Sequence, residues 1–128
     1  IGAFIFGVAI SFDTIGHRTV YREELEKAER LIHHITIGVG IASVMFLCLA
    51  YDFPSFMLIP TIVMIALSTL YSVFDEAMHW HRYYNVHSDR VEMWSHVFIM
   101  IGHNIMVYAW LYWYLKGYPG VEETLAFL

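Results

Sequence analysis

The sequence predicts an all-α membrane protein in which four transmembrane helices, arranged as two duplicated helical hairpins, form one bundle. Composition, four apolar runs and a repeated polar motif predict this fold class. Of the 128 residues, 59% are hydrophobic and 15% are charged, whereas a soluble domain usually carries about 45–50% apolar and about 25% charged residues. A chain of this length makes one small domain, so we expect a single transmembrane domain over residues 1–128.

Four apolar runs predict the helices, in chain order. The first covers residues 1–12, and it spans a membrane if residues precede Ile1 or if its helix continues through Asp13 and His17. The other three runs cover residues 31–51, 56–74 and 93–115. Each is close to the roughly 20 apolar residues that a helix needs to cross a bilayer core.

The connections between these runs predict the orientation in the membrane. The second and third helices are joined by the tight stretch YDFPSF, whereas the other two connections are longer and polar. Cytoplasmic loops carry an excess of Lys and Arg, so we expect the 1–2 and 3–4 connections in the cytoplasm and the 2–3 loop and the C-terminus on the opposite side. Six of the seven basic residues lie in those two polar connections: Arg18, Arg22, Lys27, Arg30, Arg82 and Arg90.

Charge and size limit the partners that we expect. The net charge is −5, and no basic face is interleaved with aromatic residues, which argues against nucleic acid. The lipid bilayer is therefore the expected environment. A chain of this size has no separate soluble domain for a substrate, so we expect a homo-oligomer or a complex with other membrane subunits.

Two polar segments of the chain repeat. Both FDTIGH, at residues 12–17, and FDEAMH, at residues 74–79, place a His four residues after an Asp. We therefore expect two copies of one hairpin, at 1–53 and 56–115, followed by a surface tail at 116–128; the copies would form a parallel repeat. A shift of 62 positions superposes four polar or glycine pairs: Asp13 and Asp75, His17 and His79, His34 and His96, Gly40 and Gly102.

Each predicted copy carries a second acid–imidazole pair. Glu29 precedes His33 by four residues, and Glu92 precedes His96 by four. Residues four apart lie on one face of a helix, so the spacing from Glu29 predicts that His33 belongs to the same cluster. The ungapped repeat predicts His34 in that role instead. In a closed bundle the four helix ends would converge on one cluster: Asp13, His17, Glu29, His33 or His34, Asp75, His79, Glu92 and His96.

Such a cluster predicts a metal site. Imidazole suits zinc, copper and iron, and metal sites in bundle cores draw carboxylates and His from facing helices. We therefore expect copper, iron or zinc, as one or two ions. His103 is seven residues after His96 and about 10 Å deeper, and we expect it to be a further ligand or a buried polar contact. His81 and His87 are expected at the surface.

The two motifs resemble the C subunit of the copper-dependent membrane monooxygenases that oxidise methane or ammonia. In that family, two helical Asp- or Asn-x3-His pairs are each followed by a further His on the next helix. This chain has Asp75 where the family has Asn. The resemblance implies copper at Asp13, His17 and His34, with a second set at Asp75, His79 and His96, and a place in an oxygenase assembly.

The sequence leaves several functions open besides a redox or oxygenase-related metalloprotein. A haem b bundle could use His34 with His96 or His103 as axial ligands. An ion or proton transporter would need polar residues at the midplane, where only His103 and Asn104 qualify. An accessory subunit of a larger membrane complex is the third alternative. For any single residue of the cluster, a solvated ion pair at a helix end is the simpler interpretation. Enzymatic activity stays open.

Overall fold

The computed structural model describes residues 1–19, 27–86 and 90–117 of the chain. Within these ranges it contains four α-helices, which confirms the all-α prediction: α1 (Gly2–Thr19), α2 (Lys27–Asp52), α3 (Pro54–Val86) and α4 (Arg90–Leu115). Only Phe53 separates α2 from α3, and Pro54 suits the first position of a helix because its missing N–H would be unpaired there anyway. Arg22, His87 and the predicted surface tail beyond Gly117 lie outside the described residues.

Two of the four helices, α2 and α3, are long and apolar enough to cross a membrane, as judged by length and composition. The 33 residues of α3 extend about 50 Å at 1.5 Å per residue, which exceeds a bilayer core of about 30 Å. Its C-terminal third can therefore carry polar residues without placing them in hydrocarbon. The predicted spans in α1 and α4, and the orientation of the chain, stay predictions.

The described part of the chain buries polar residues and exposes apolar ones. Thirteen polar or charged residues are buried, against six hydrophobic ones, which inverts the usual pattern of a soluble protein. Large side chains such as Phe56, Ile59 and Leu115 are more than 70% exposed. A small apolar core of Leu47, Ala50 and Trp110 lies at the end of the helices opposite to the polar cluster.

The helices pack as two close pairs, α1 with α4 and α2 with α3. The α1–α4 crossing is tight, because a Cβ atom on Gly102 would lie 2.6 Å from the backbone nitrogen of Phe6 and 2.9 Å from the carbonyl oxygen of Gly2. Small residues allow such close approach between helices in membranes. The α1–α4 pair joins helices from different predicted copies, as does the α2–α3 pair, and the duplication itself stays a prediction.

We expect Gly102→Ala to destabilise the fold, because the new methyl group meets the backbone of α1 and not a movable side chain. Overpacking of this kind costs about 1–3 kcal/mol. Gly7→Ala is the matched control, since nothing lies within 4 Å of a Cβ atom there. Thermal unfolding in detergent, followed by circular dichroism, should show a lower Tm for Gly102→Ala only. Equal Tm values would contradict the tight crossing.

Candidate metal centre

Four histidines, one from each helix, meet inside the bundle. They lie near the end where α1 and α3 finish and α2 and α4 begin. Each can offer one ring nitrogen to a set whose members all lie within 4.8 Å of one another. Their side chains are only 1–9% exposed. The convergence predicted from the sequence is thus present in these residues: His17, His33, His79 and His96.

Asp13 lies between three of the four rings. Its Oδ1 is 3.1 Å from His96 Nε2 and 3.5 Å from His17 Nε2. Its Oδ2 is 3.2 Å from His33 Nε2. Both carboxylate oxygens therefore face imidazole nitrogens on α1, α2 and α4, and Asp13 is in a position to bridge them.

Glu92 has the same role on the other side of the cluster. Its Oε1 is 3.2 Å from His17 Nε2 and 3.1 Å from His79 Nε2. Burial by itself would raise the pKa of Glu92, but its interactions with His79 and Arg82 hold that pKa below its usual value. All four histidines thus direct Nε2 toward a carboxylate at the centre.

The other ring nitrogen, Nδ1, has a polar partner in His33, His79 and His96. His79 Nδ1 donates to the backbone carbonyl of Asp75 at 2.6 Å. His33 Nδ1 is 3.3 Å from Asp75 Oδ2, and His96 Nδ1 is 3.2 Å from Glu76 Oε2. A metal-bound His usually donates its second N–H to a carboxylate or a carbonyl in this way, which fixes the tautomer and leaves the Nε2 lone pair available.

Several atoms at the centre are close together without being hydrogen-bonded. Asp13 Oδ2, His33 Nε2 and His79 Nε2 are buried and make no hydrogen bond of acceptable geometry to the described residues. Two ligands bound at about 2.1 Å to one ion in tetrahedral or octahedral geometry are about 3.0–3.4 Å apart. The 3.1 Å and 3.2 Å contacts around Asp13 and Glu92 fit that separation.

A network of buried ion pairs adjoins the site. Arg82 Nε donates to Glu29 Oε1 at 2.9 Å, and Arg82 Nη2 donates to both carboxylate oxygens of Glu92. All three side chains are at least nine-tenths buried. The guanidinium therefore connects α2 to α4 and fixes the orientation of Glu92 toward His17 and His79.

The cluster carries an excess of acid groups. Among the described residues, five carboxylates and one guanidinium make these contacts, so with neutral imidazoles the formal balance is −4. Burying such an excess is costly unless cations offset it. Protons on the four imidazoles, or two divalent metal ions, would balance it.

No protein-family model, no curated protein and no solved structure matches this chain. The resemblance to the copper monooxygenase subunit therefore stays a prediction from two motifs. Function has to be inferred from the geometry of the site.

The structure separates His33 from His34. His33 joins the cluster, whereas His34 is exposed and its Nδ1 lies 2.6 Å from the carbonyl oxygen of Arg30. The four-residue spacing from Glu29 thus identifies the inward-facing His, and the ungapped repeat does not. Among the described residues, Glu29 contacts the cluster through Arg82.

His103 lies outside the group of four histidines. Its Nε2 is 2.7 Å from Ser43 Oγ, and its ring packs near Phe6. Of the two expectations for His103, the buried polar contact describes this geometry. His81 is exposed, as predicted.

Sequence reasoning missed two members of the site. The sequence pattern places Arg82 among the charges of a cytoplasmic connection, but Arg82 is buried and paired with Glu29 and Glu92. A signal is present, because Arg82 follows His79 by three residues and Asp75 by seven, which places all three on one helix face. Glu76, the partner of His96 Nδ1, gives no comparable signal.

Proposed function

We propose that this chain is an integral membrane metalloprotein that binds transition-metal ions in the buried His/carboxylate site near one end of its four helices. The observation that carries this proposal is the common orientation of His17, His33, His79 and His96. Each turns Nε2 toward a central carboxylate. Solvated surface histidines have no reason to converge in this way, whereas metal ligands must.

The donor set favours iron, zinc or copper. Imidazole and carboxylate ligands suit these ions, and a soft thiolate site is excluded because the one cysteine, Cys48, is exposed on another part of α2. The resemblance to the monooxygenase subunit favours copper within this group.

The central carboxylates are placed to bridge two ions. Asp13 and Glu92 each face more than one imidazole, as bridging carboxylates do. The four ring nitrogens all lie within 4.8 Å of one another, and ions in two-metal sites are about 3.5–4 Å apart, so the donor set can serve one ion or two. A pair of divalent ions also balances the formal charge of the cluster. Such a centre could support redox chemistry or activate water.

The geometry gives little support to a haem group. His34, the predicted axial ligand on α2, is exposed. The rings of His33 and His96 are 5.8 Å apart, and the Asp13 carboxylate contacts Nε2 of both. A porphyrin has no space between them.

We expect His79→Ala to remove most of the bound metal, because it deletes a nitrogen that faces Glu92 and leaves a gap at the centre. His81→Ala is the matched control, two residues later on α3 and exposed. Elemental analysis of protein purified gently without chelators should give one or two ions per chain for the wild type and for His81→Ala, and much less for His79→Ala.

Two outcomes would overturn the proposal. One is wild-type protein that contains no transition metal and takes none up. The other is equal metal content in His79→Ala and wild type. X-ray absorption at the edge of the bound metal then tests the ligands directly, since the proposal requires imidazole and oxygen scattering and no sulfur.

A further inference from the structure

A groove of about 580 Å³ lies between α1 and α2 and reaches the proposed metal centre. His17 and His33, two of the four central histidines, line it. The close helix pairs are α1 with α4 and α2 with α3, so α1 and α2 leave room between them. His17 is also partly exposed, whereas the other three central histidines are buried. The groove is therefore a side from which the centre can be reached, and its volume lies in the range of small-molecule sites, about 300–1,000 Å³.

The rim of this groove is basic. Arg18, Arg30 and His34 line the groove and are exposed, so they lie on its outer side. The described residues that line it include no acidic side chain. Asp13 and Glu92 direct their carboxylates toward the central ring nitrogens instead. With divalent ions bound, those acids are offset, and positive charge at the mouth of a cleft attracts anions and raises their local concentration.

We infer that this groove is the entrance through which a small anion reaches the metal centre. The ligand is a free anion with one negative charge, a carboxylate or an inorganic anion, which passes Arg18 and Arg30 and binds on the side of His17 and His33. The two arginines act through their charge at the mouth of the groove. The inference rests on the proposed function, because the metal ions supply the bond that holds the anion. It adds a ligand class and a route of access.

The exposed arginines provide a test of charge with a matched control. The methionine pair, Arg18→Met with Arg30→Met, removes both positive charges and keeps an apolar stem at each position. The lysine pair, Arg18→Lys with Arg30→Lys, keeps both charges. Arg90→Met is the control, because Arg90 is exposed at the start of α4 and does not line the groove. All these positions lie outside the proposed metal ligands, so the metal content should be equal in wild type and in every variant.

The test uses the full chain in a neutral detergent, loaded with cobalt(II), whose visible spectrum reports ligand binding, and azide as the anionic probe. The loss of both charges in the methionine pair should weaken azide binding about tenfold at low ionic strength. The lysine pair and Arg90→Met should bind azide as the wild type does. In about 1 M salt, where the Debye length is about 3 Å, the tenfold difference should shrink. Nitric oxide is a neutral ligand and should bind equally to the wild type and to every variant.

The possible failures are distinguishable. Wild-type protein that binds no cobalt overturns the proposed function. Normal cobalt content, with no azide binding or with equal azide affinity in the methionine pair and in Arg90→Met, overturns the anion entrance and leaves the proposed function intact. If the methionine pair lost nitric oxide affinity as much as azide affinity, the centre would be distorted and the charge effect would be wrong. Phosphatidylglycerol tests whether the anion is a lipid phosphate: if a stoichiometric amount displaces azide from the wild type and phosphatidylcholine does not, the groove holds a lipid headgroup and the free ligand is wrong.

Discussion

Asp13→Asn is expected to abolish metal binding while the helices stay folded. Asp13 contacts Nε2 of three histidines through its two oxygens. The amide has no charge to offset a cation, and its NH₂ group replaces an acceptor with a donor. Loss of a partner outside the coordination shell costs about 10–100-fold in metal affinity, so loss of a central carboxylate should cost more than about a hundredfold.

The matched control for this variant is Asp52→Asn. Asp52 is exposed at the C-terminal end of α2, away from the cluster. Equilibrium dialysis against a competing chelator should give the wild-type metal affinity for Asp52→Asn. Over the same range of free metal concentrations, Asp13→Asn should bind no metal. Circular dichroism should show equal helix content for both. If Asp13→Asn held its metal as tightly as Asp52→Asn, the ions would have to lie elsewhere in the chain.

The helices and the composition of the site could be predicted from the sequence because their signals are local. A run of about 20 apolar residues, or an acid and a His four positions apart, is a property of one helix and needs no knowledge of its neighbours. The four pairs lie alternately near the C-terminal and the N-terminal ends of successive helices. Because successive helices run in opposite directions, all four pairs fall at the same end of the bundle. This explains why the sequence alone points to His17, His79, His96 and either His33 or His34.

The parts that could not be predicted depend on contacts between helices. Whether His33 or His34 faces inward is decided by the rotation of α2, which the order of two adjacent histidines cannot settle. The pairing of α1 with α4 depends on the close approach at Gly102, and a hairpin repeat gives no hint of it. The groove between α1 and α2 is likewise a packing feature, formed by side chains from both helices.

Arg82 shows how a sequence rule can assign a residue to the wrong class. A basic residue near the end of an apolar helix usually marks a cytoplasmic connection. Here α3 is longer than a bilayer core is thick, and its final turns pack against α2 and α4 through charged groups. The same guanidinium therefore pairs with two buried acids, Glu29 and Glu92, and is not a loop charge.

Arg82→Met is expected to cause a larger loss of stability than Gly102→Ala. It removes the guanidinium that pairs with Glu29 and Glu92, and both carboxylates are at least nine-tenths buried. Breaking a buried ion pair by removing one partner costs about 3–5 kcal/mol, because a charge is left without compensation. Denaturant unfolding of metal-free protein in detergent measures this loss apart from any effect on metal binding.

Two further variants show whether the loss comes from the bridge. Arg90→Met removes an exposed arginine at the start of α4, and a surface change of this kind should alter stability by no more than about 0.5 kcal/mol. Adding Glu29→Gln to Arg82→Met removes one of the two stranded charges, so the double variant should recover part of the loss, and the coupling is read from a double-mutant cycle. If Arg82→Met were no less stable than Arg90→Met, the bridge would not hold α2 to α4. The orientation of Glu92 would then have to come from the metal ions alone.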